Sequence, residues 1–204
     1  MKNALDESLA GGFIPMSKIA VLIDSNHPLK LEGYTDPSEI SEEIVIDFTQ
    51  GTFEEKKNIL EQLQGKEVYS DLTCYNPNQL PEVKGSFSCV FLTEKKKVEF
   101  YGDQKKQIKE FFEQMGLELF PLSFQSTGFV YPRTFVQIVN EAYFALSEKV
   151  ASREDIDRAM KFGVNYPFGP FEWSQGKEKF VKQLLTTLKE ETGDARYEVC
   201  PLIN

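Results

Sequence analysis

The chain has 204 residues, 41% of them apolar and 13% aromatic, enough to bury one medium core or two small ones. Its 23 basic residues stand against 32 acidic ones, and the net charge of -9 excludes the basic face that a nucleic-acid surface needs. Three cysteines, Cys74, Cys89 and Cys200, lack zinc-ligand spacing and leave one over from any pairing, so neither a metal site nor a disulfide framework is expected. A reducing, cytoplasmic setting suits them.

In chain order, the first fifteen residues carry acids and a Gly11-Gly12 pair, and read as a tail ahead of a domain beginning near Met16. They lack the basic end and apolar core of a signal peptide. No apolar run approaches the roughly 18 residues of a membrane span, so no membrane partner is expected. Residues 18–23 form an almost continuous apolar run ending at Asp24, the pattern of a strand buried on both faces of a parallel sheet. A polar, turn-rich stretch follows, and residues 43–48 read as the next buried strand. Phe53, Ile59, Leu60 and Leu63 are spaced for an amphipathic helix over 52–63 that stops at Gly65. Strands are predicted at 67–72, 86–92, 97–101 and 118–122, with a helix over 104–115 carried by Ile108, Phe111, Phe112 and Met115.

From about residue 125 the periodicity is helical throughout. Phe129, Val130, Phe135, Ile138, Val139, Ala142, Tyr143 and Leu146 recur at three- and four-residue steps and predict one long helix with a wide apolar face. Ser152, followed by Glu154 and Asp155, marks the start of a second helix that ends near Gly163, before Tyr166-Pro167-Phe168-Gly169-Pro170. Another helix runs over 178–191. Strands alternating with helices, then helices alone, give three parts: the tail at 1–15, an α/β domain at 16–124 and a helical domain at 125–204.

Several of these segments resemble the 3-hydroxyacyl-CoA dehydrogenase family. The match rests on Gly128-Phe129-Val130, Arg133, Asn140-Glu141-Ala142, the run Val150 to Met160, and Tyr166-Pro167-Phe168-Gly169-Pro170-Phe171-Glu172. More faintly, Ile44 to Phe48 resembles the family's fourth strand, Gly85 to Tyr101 its catalytic strand and loop, and Gly193 to Tyr197 with Cys200-Pro201-Leu202 a tail segment. The resemblance implies a reduced Rossmann-like parallel sheet followed by the family's helical domain. It also implies a homodimer through that domain, for which Phe135, Val139 and Phe144 offer an apolar surface, and an acyl-CoA or CoA ligand.

The same resemblance implies a degenerate active site. The family's first strand leads into a Gly-x-Gly-x-x-Gly loop that cradles a dinucleotide pyrophosphate. Here Asp24-Ser25-Asn26-His27-Pro28-Leu29-Lys30 follows, with no glycine before Gly33, so no NAD cofactor is expected. Aligning Gly85 and the Lys97-Val98-Glu99 segment places Phe87 on the family's catalytic histidine, Val90 on its asparagine and Glu99 on the glutamate that orients the imidazole. Pro132 replaces a further asparagine, and Thr73 stands on a serine hydroxyl near the substrate oxygen. The candidate catalytic residues are therefore Glu99 and Thr73, each with a second reading, Glu99 as a strand-end acid facing solvent and Thr73 as a turn cap. His27, the only histidine, lies in a loop. Lys95-Lys96-Lys97 and Lys105-Lys106 read as solvated edges or as contacts for CoA phosphates, and Phe168, Phe171 and Trp173 as helix packing or as a thioester pocket.

Two functions follow from this. One is a homodimeric binding or assembly module near acyl-CoA metabolism that has lost the dehydrogenase activity. The other is an NAD-dependent oxidoreductase acting on 3-hydroxyacyl-CoA in fatty acid metabolism.

Overall fold

The computed structural model describes residues 18–24, 27, 29, 31–92 and 95–204. The expected tail at 1–15, the domain start near Met16 and positions 25, 26, 28 and 30 of the loop after the first strand lie outside the described residues. The chain divides into two compact units, residues through Thr73 with Pro77–Ser126, and Cys74–Asn76 with Thr127–Asn204.

The first unit is a six-stranded sheet in sequential order: β1 (Ile19–Leu22), β2 (Ile44–Asp47), β3 (Glu67–Asp71), β4 (Gly85–Phe87), β5 (Lys97–Gly102) and β6 (Glu118–Pro121). Four of the five pairings are parallel, and β4 with β5 is antiparallel. The expected reduced Rossmann-like parallel sheet is thus present, with one antiparallel pairing inside it. The link from β4 to β5 spans only residues 88–96, too short to carry a crossover helix, so the chain returns the way it came. β4 is also shorter than predicted, because beyond Ser88, whose N–H still bonds to the Glu99 carbonyl, the backbone leaves the ladder.

Side chains alternate across the sheet. Ile19, Val21, Ile44, Ile46, Phe48, Tyr69, Phe87, Val98 and Phe100 share one core cluster with Ile108, Phe111 and Phe112 of helix α2 (Lys106–Gln114). Asp47 reaches Lys56 of helix α1 (Phe53–Gln62), which places α1 over the opposite face. α1 opens with a capping box, Thr52 with Glu55, a device that contributes about 1 kcal/mol. Both faces of β1 are buried, as its apolar run requires. Its outer edge is met by the turn-rich segment, where Ile23 donates to the Tyr34 carbonyl and Tyr34 to that of Val21, at 3.0 and 2.8 Å. Gly33 makes this approach possible, since a Cβ there would sit 2.5 Å from the Val21 oxygen.

The second unit is helical: α3 (Tyr131–Ser147), α4 (Arg153–Gly163), α5 (Pro170–Ser174) and α6 (Glu178–Thr192). Sequence reading stops short of α5, where Pro170 looks like a breaker. Proline instead opens the helix, because the first turn has no use for its missing N–H. The Asp157 carboxylate from α4 accepts the N–H groups of Phe171 and Glu172, satisfying that first turn. Asn140 of α3 clamps the C-terminal segment, donating to the Glu198 carbonyl at 2.7 Å and accepting the Cys200 N–H at 2.9 Å.

One expectation is corrected here. Phe135 and Val139 do not form an outer apolar surface but are buried within this unit, Phe135 against Trp173 (4.5 Å between ring centroids), Tyr166 and Phe168. Aromatic rings from the segment around α5 cover that stripe of α3, while Phe144 remains partly exposed. Phe168, Phe171 and Trp173 act in this packing, Phe171 lying 4.9 Å from Tyr143. Among the described residues no helix is long and apolar enough to cross a membrane.

Candidate functional site at the strand ends

In a parallel sheet the carboxyl ends of the strands are where polar groups converge. Here β2 and β3 end in the same three-residue device, Asp47-Phe48-Thr49 and Asp71-Leu72-Thr73. In each, one aspartate oxygen accepts both the N–H (2.9 Å) and the hydroxyl (2.5 Å) of the threonine two residues on. The strand thereby turns with its last backbone groups satisfied.

The second oxygen of each aspartate reaches further. Asp47 Oδ2 accepts from Lys56 Nζ at 2.6 Å and from the Ser70 hydroxyl at 2.7 Å, and Lys56 also donates to the Thr49 carbonyl at 2.8 Å. Both members of this ion pair are fully buried, which is tolerable only because every side of the pair is bonded. Asp71 Oδ2 accepts the Cys89 N–H at 2.8 Å. Burial pushes the Asp71 carboxyl above its ordinary value, against the bonds from Thr73 and Cys89 that pull it down, and burial likewise drives the Cys89 thiol well up. A thiol in that state is not a nucleophile.

Thr73 thus lies at 0% exposure. Its hydroxyl faces Asp71 and, at 3.0 Å, the Ser88 hydroxyl. Glu99 sits half-buried on β5, and its backbone carbonyl accepts the Ser88 N–H at 3.0 Å. Ser88 therefore links the two sequence candidates, one through a hydroxyl and the other through the main chain. Sequence reasoning missed Asp47, Lys56, Asp71 and Ser88. The repeated Asp-x-Thr pattern at the ends of two predicted strands was the signal that could have found the aspartates.

Phe87 is fully buried, in edge contact with Phe48 (5.0 Å) and Phe112 (5.1 Å). His27 touches the same ring of Phe48 at 5.8 Å, and its Nδ1 accepts the Leu29 N–H. Its imidazole is 2% exposed. Both rings belong to an apolar assembly rather than to a solvated acid–base site.

The family's cofactor would need backbone N–H groups and a helix N-terminus beyond the first strand. Between β1 and β2 the described residues hold one 3₁₀ turn, Pro37–Glu39, and no α-helix. The Asp24 carboxylate accepts the Gln50 N–H, so an anionic side chain already occupies a donor at the strand ends. The N-terminus of α1 is closed by its own capping box. These residues do not fit a dinucleotide held by its pyrophosphate.

The basic spots are largely spoken for. Lys105 is paired with both oxygens of Glu67, Lys106 with Glu110 and Lys97 with Glu118. No group of three or more His, Cys, Asp or Glu side chains among the described residues is arranged to hold a metal ion.

Comparison with known proteins places this arrangement. Residues 128–204 match the family described as 3-hydroxyacyl-CoA dehydrogenase, C-terminal domain. A 3-hydroxyadipyl-CoA dehydrogenase of Escherichia coli is 28% identical over 189 residues, 88% of this chain and 34% of that protein. A 3-hydroxybutyryl-CoA dehydrogenase of Clostridioides difficile is 38% identical over 81 residues, 39% of this chain and 28% of the relative. The matches thus span about a third of the length of these curated relatives. Among solved structures, (S)-3-hydroxybutyryl-CoA dehydrogenase of Ralstonia eutropha aligns with a TM-score of 0.64 at 22% identity, over 84% of this chain and 68% of the other. The 3-hydroxybutyryl-CoA dehydrogenase of Escherichia coli K12 aligns at 0.58 and 24%, over 93% and 35%. At such identities the likeness is one of fold.

Proposed function

Since the chain carries a C-terminal domain of the 3-hydroxyacyl-CoA dehydrogenase family at residues 128–204 and is related to that family, we propose that it is a relative without NAD-dependent dehydrogenase activity, a cytoplasmic, homodimeric binding or assembly module linked to acyl-CoA metabolism. The observation that carries this reading is Phe87. The position that resembles the family's proton-accepting histidine holds a hydrocarbon ring locked between Phe48 and Phe112. A phenyl ring accepts no proton, and its burial leaves no space for a substrate hydroxyl beside it.

Two further features support the reading. The Asp24 carboxylate places negative charge where a pyrophosphate would need donors. Thr73, the nearest match to the family's substrate-facing hydroxyl, gives its proton to the Asp71 carboxylate and meets the Ser88 hydroxyl at 3.0 Å. Glu99 is then an orienting acid with no imidazole to orient.

The test is a pair of binding titrations. NADH is followed by its fluorescence, and CoA and acetyl-CoA by the shift in melting temperature, since a ligand selective for the folded state raises it. The reading expects no saturable NADH signal and a melting shift with CoA thioester. Saturable NADH binding would overturn the loss of the cofactor site, and flat melting curves would remove CoA as the ligand.

A further inference from the structure

Lys177 stands at the junction of α5 and α6, where the backbone fixes the start of its side chain. The Lys177 N–H donates to the Ser174 carbonyl at 2.8 Å and closes the turn between the two helices. Gln175 at φ -53°, ψ 121° and Gly176 at φ 74° make this a type II turn, which needs a left-handed residue in its third position. Glycine meets that need, and a Cβ there would find nothing within 4 Å, so the space beside the turn is open.

The Lys177 ammonium lies 5.4 Å from the centre of the Trp173 ring. That ring is buried and braced by Phe135 and Tyr131, at 4.5 and 6.2 Å between centroids. Lys177 is therefore half-buried on a fixed aromatic platform. Among the described residues no carboxylate or carbonyl bonds to its amine. The acids nearest in sequence do not neutralise it, since Glu172 pairs with Lys161 and Glu178 makes no ion pair with it. Lys56 is the opposite case, a buried lysine whose charge Asp47 matches.

We propose that Lys177 is an acyl-acceptor site, a nucleophilic amine that takes the acyl group of a thioester. The neutral nitrogen attacks the thioester carbonyl carbon, and the C–S bond breaks with its electron pair leaving on sulfur. The proton shed by nitrogen ends on the thiolate or in water, so the products are an amide on Lys177 and a free thiol. Two features favour the step. Burial holds the ammonium below the ordinary lysine value, against the pull of the ring's π face, so that more of the reactive amine is present at neutral pH. The amide product is uncharged and relieves the same desolvation cost. The inference rests on the proposed acyl-CoA link only for the identity of the donor.

The test incubates the full chain with acetyl-CoA or with S-acetyl-N-acetylcysteamine, a thioester lacking the nucleotide, and follows acetylation site by site by mass spectrometry of Glu-C peptides. Lys182, exposed on the same helix, is the internal reference, and Lys177→Arg assigns the signal. At about pH 7.5 Lys177 should be acetylated roughly three-fold or more faster than Lys182, and the ratio should fall as pH nears ~10.4 and both become amines. Equal rates at the two lysines with both donors, or no acetylation of Lys177, overturn the inference whatever CoA does to the melting temperature. Preference for Lys177 with the short thioester but not with acetyl-CoA keeps the acceptor and removes CoA as its donor, a failure of the proposed function alone.

Discussion

Replacing Phe87 by histidine puts back the base that the family resemblance implies, and the structure predicts damage instead of catalysis. Phe87 is fully buried, with ring centroids at 5.0 Å from Phe48 and 5.1 Å from Phe112. Deleting a buried phenylalanine ring costs about 3–5 kcal/mol, and imidazole, smaller but still planar, keeps roughly half of those contacts. Its ring N–H and lone pair would face carbon on every side, adding about 1–3 kcal/mol for hydrogen bonds left unmade. The net loss is therefore about 3–4 kcal/mol, against total stabilities of about 5–15 kcal/mol for domains of this kind. The loss should deepen as pH falls below about 6.5, because the unfolded chain takes up a proton that the buried ring refuses. Urea unfolding followed by circular dichroism measures it, with Phe87→Leu as a smaller apolar control whose loss stays below that of the histidine because it leaves no polar group unpaired. A Phe87→His chain within about 1 kcal/mol of the parent, or one that gains acetoacetyl-CoA reduction, would refute the placement of this ring in a closed core.

Three other substitutions probe the polar framework. Lys56→Met leaves the Asp47 carboxylate buried without its cation, and a loss of about 3 kcal/mol is expected; adding Asp47→Leu should recover most of it in the same urea assay, and a double variant no better than the single would contradict the pairing argument. Burial raises the Asp71 carboxyl, so the folded state binds that proton more tightly than the unfolded one; its contribution is full below the unfolded value near ~3.9 and is lost as pH rises through the raised folded value. The stability of Asp71→Asn relative to wild type should accordingly improve from acid toward neutral pH, and a flat or opposite trend in urea titrations across that range sinks the assignment. Asn140→Ala removes two bonds to the C-terminal segment, so stability should drop by about 2 kcal/mol and amide exchange should speed up selectively from Asp194 onward; uniform exchange would mean the clamp is not local.

How much of this was legible beforehand depends on whether a residue's partner lies nearby in sequence. The strands at 19–22 and 44–47 announce themselves through unbroken runs of branched apolar residues, and α3 through its three- and four-residue apolar steps. Lys56 does not, because a lysine in an amphipathic helix reads as solvated, and only the fold brings Asp47 beneath it. The apolar stripe of α3 was visible, and helix packing was one of the two readings open for Phe168 and Trp173; which stripe they cover was not. The cover comes from Tyr166, Phe168 and Trp173, past a Pro-Phe-Gly-Pro segment whose prolines hide a helix start. Thr73 and Glu99 were singled out through the family resemblance alone, while Ser88, which contacts both, has no local pattern to mark it. That no glycine stands between Asp24 and Gly33 was plain in the residues themselves. That Asp24 turns its carboxylate onto the Gln50 N–H is a contact across twenty-six residues, which no local pattern encodes.

The account turns on whether this chain can move a hydride with its own groups. Mixing the purified chain with acetoacetyl-CoA and NADH, and following the disappearance of NADH at high protein concentration, asks that directly. The account predicts a rate indistinguishable from that of buffer, unchanged by Glu99→Gln. Turnover proportional to protein concentration, and lost in the Glu99→Gln variant, would contradict it.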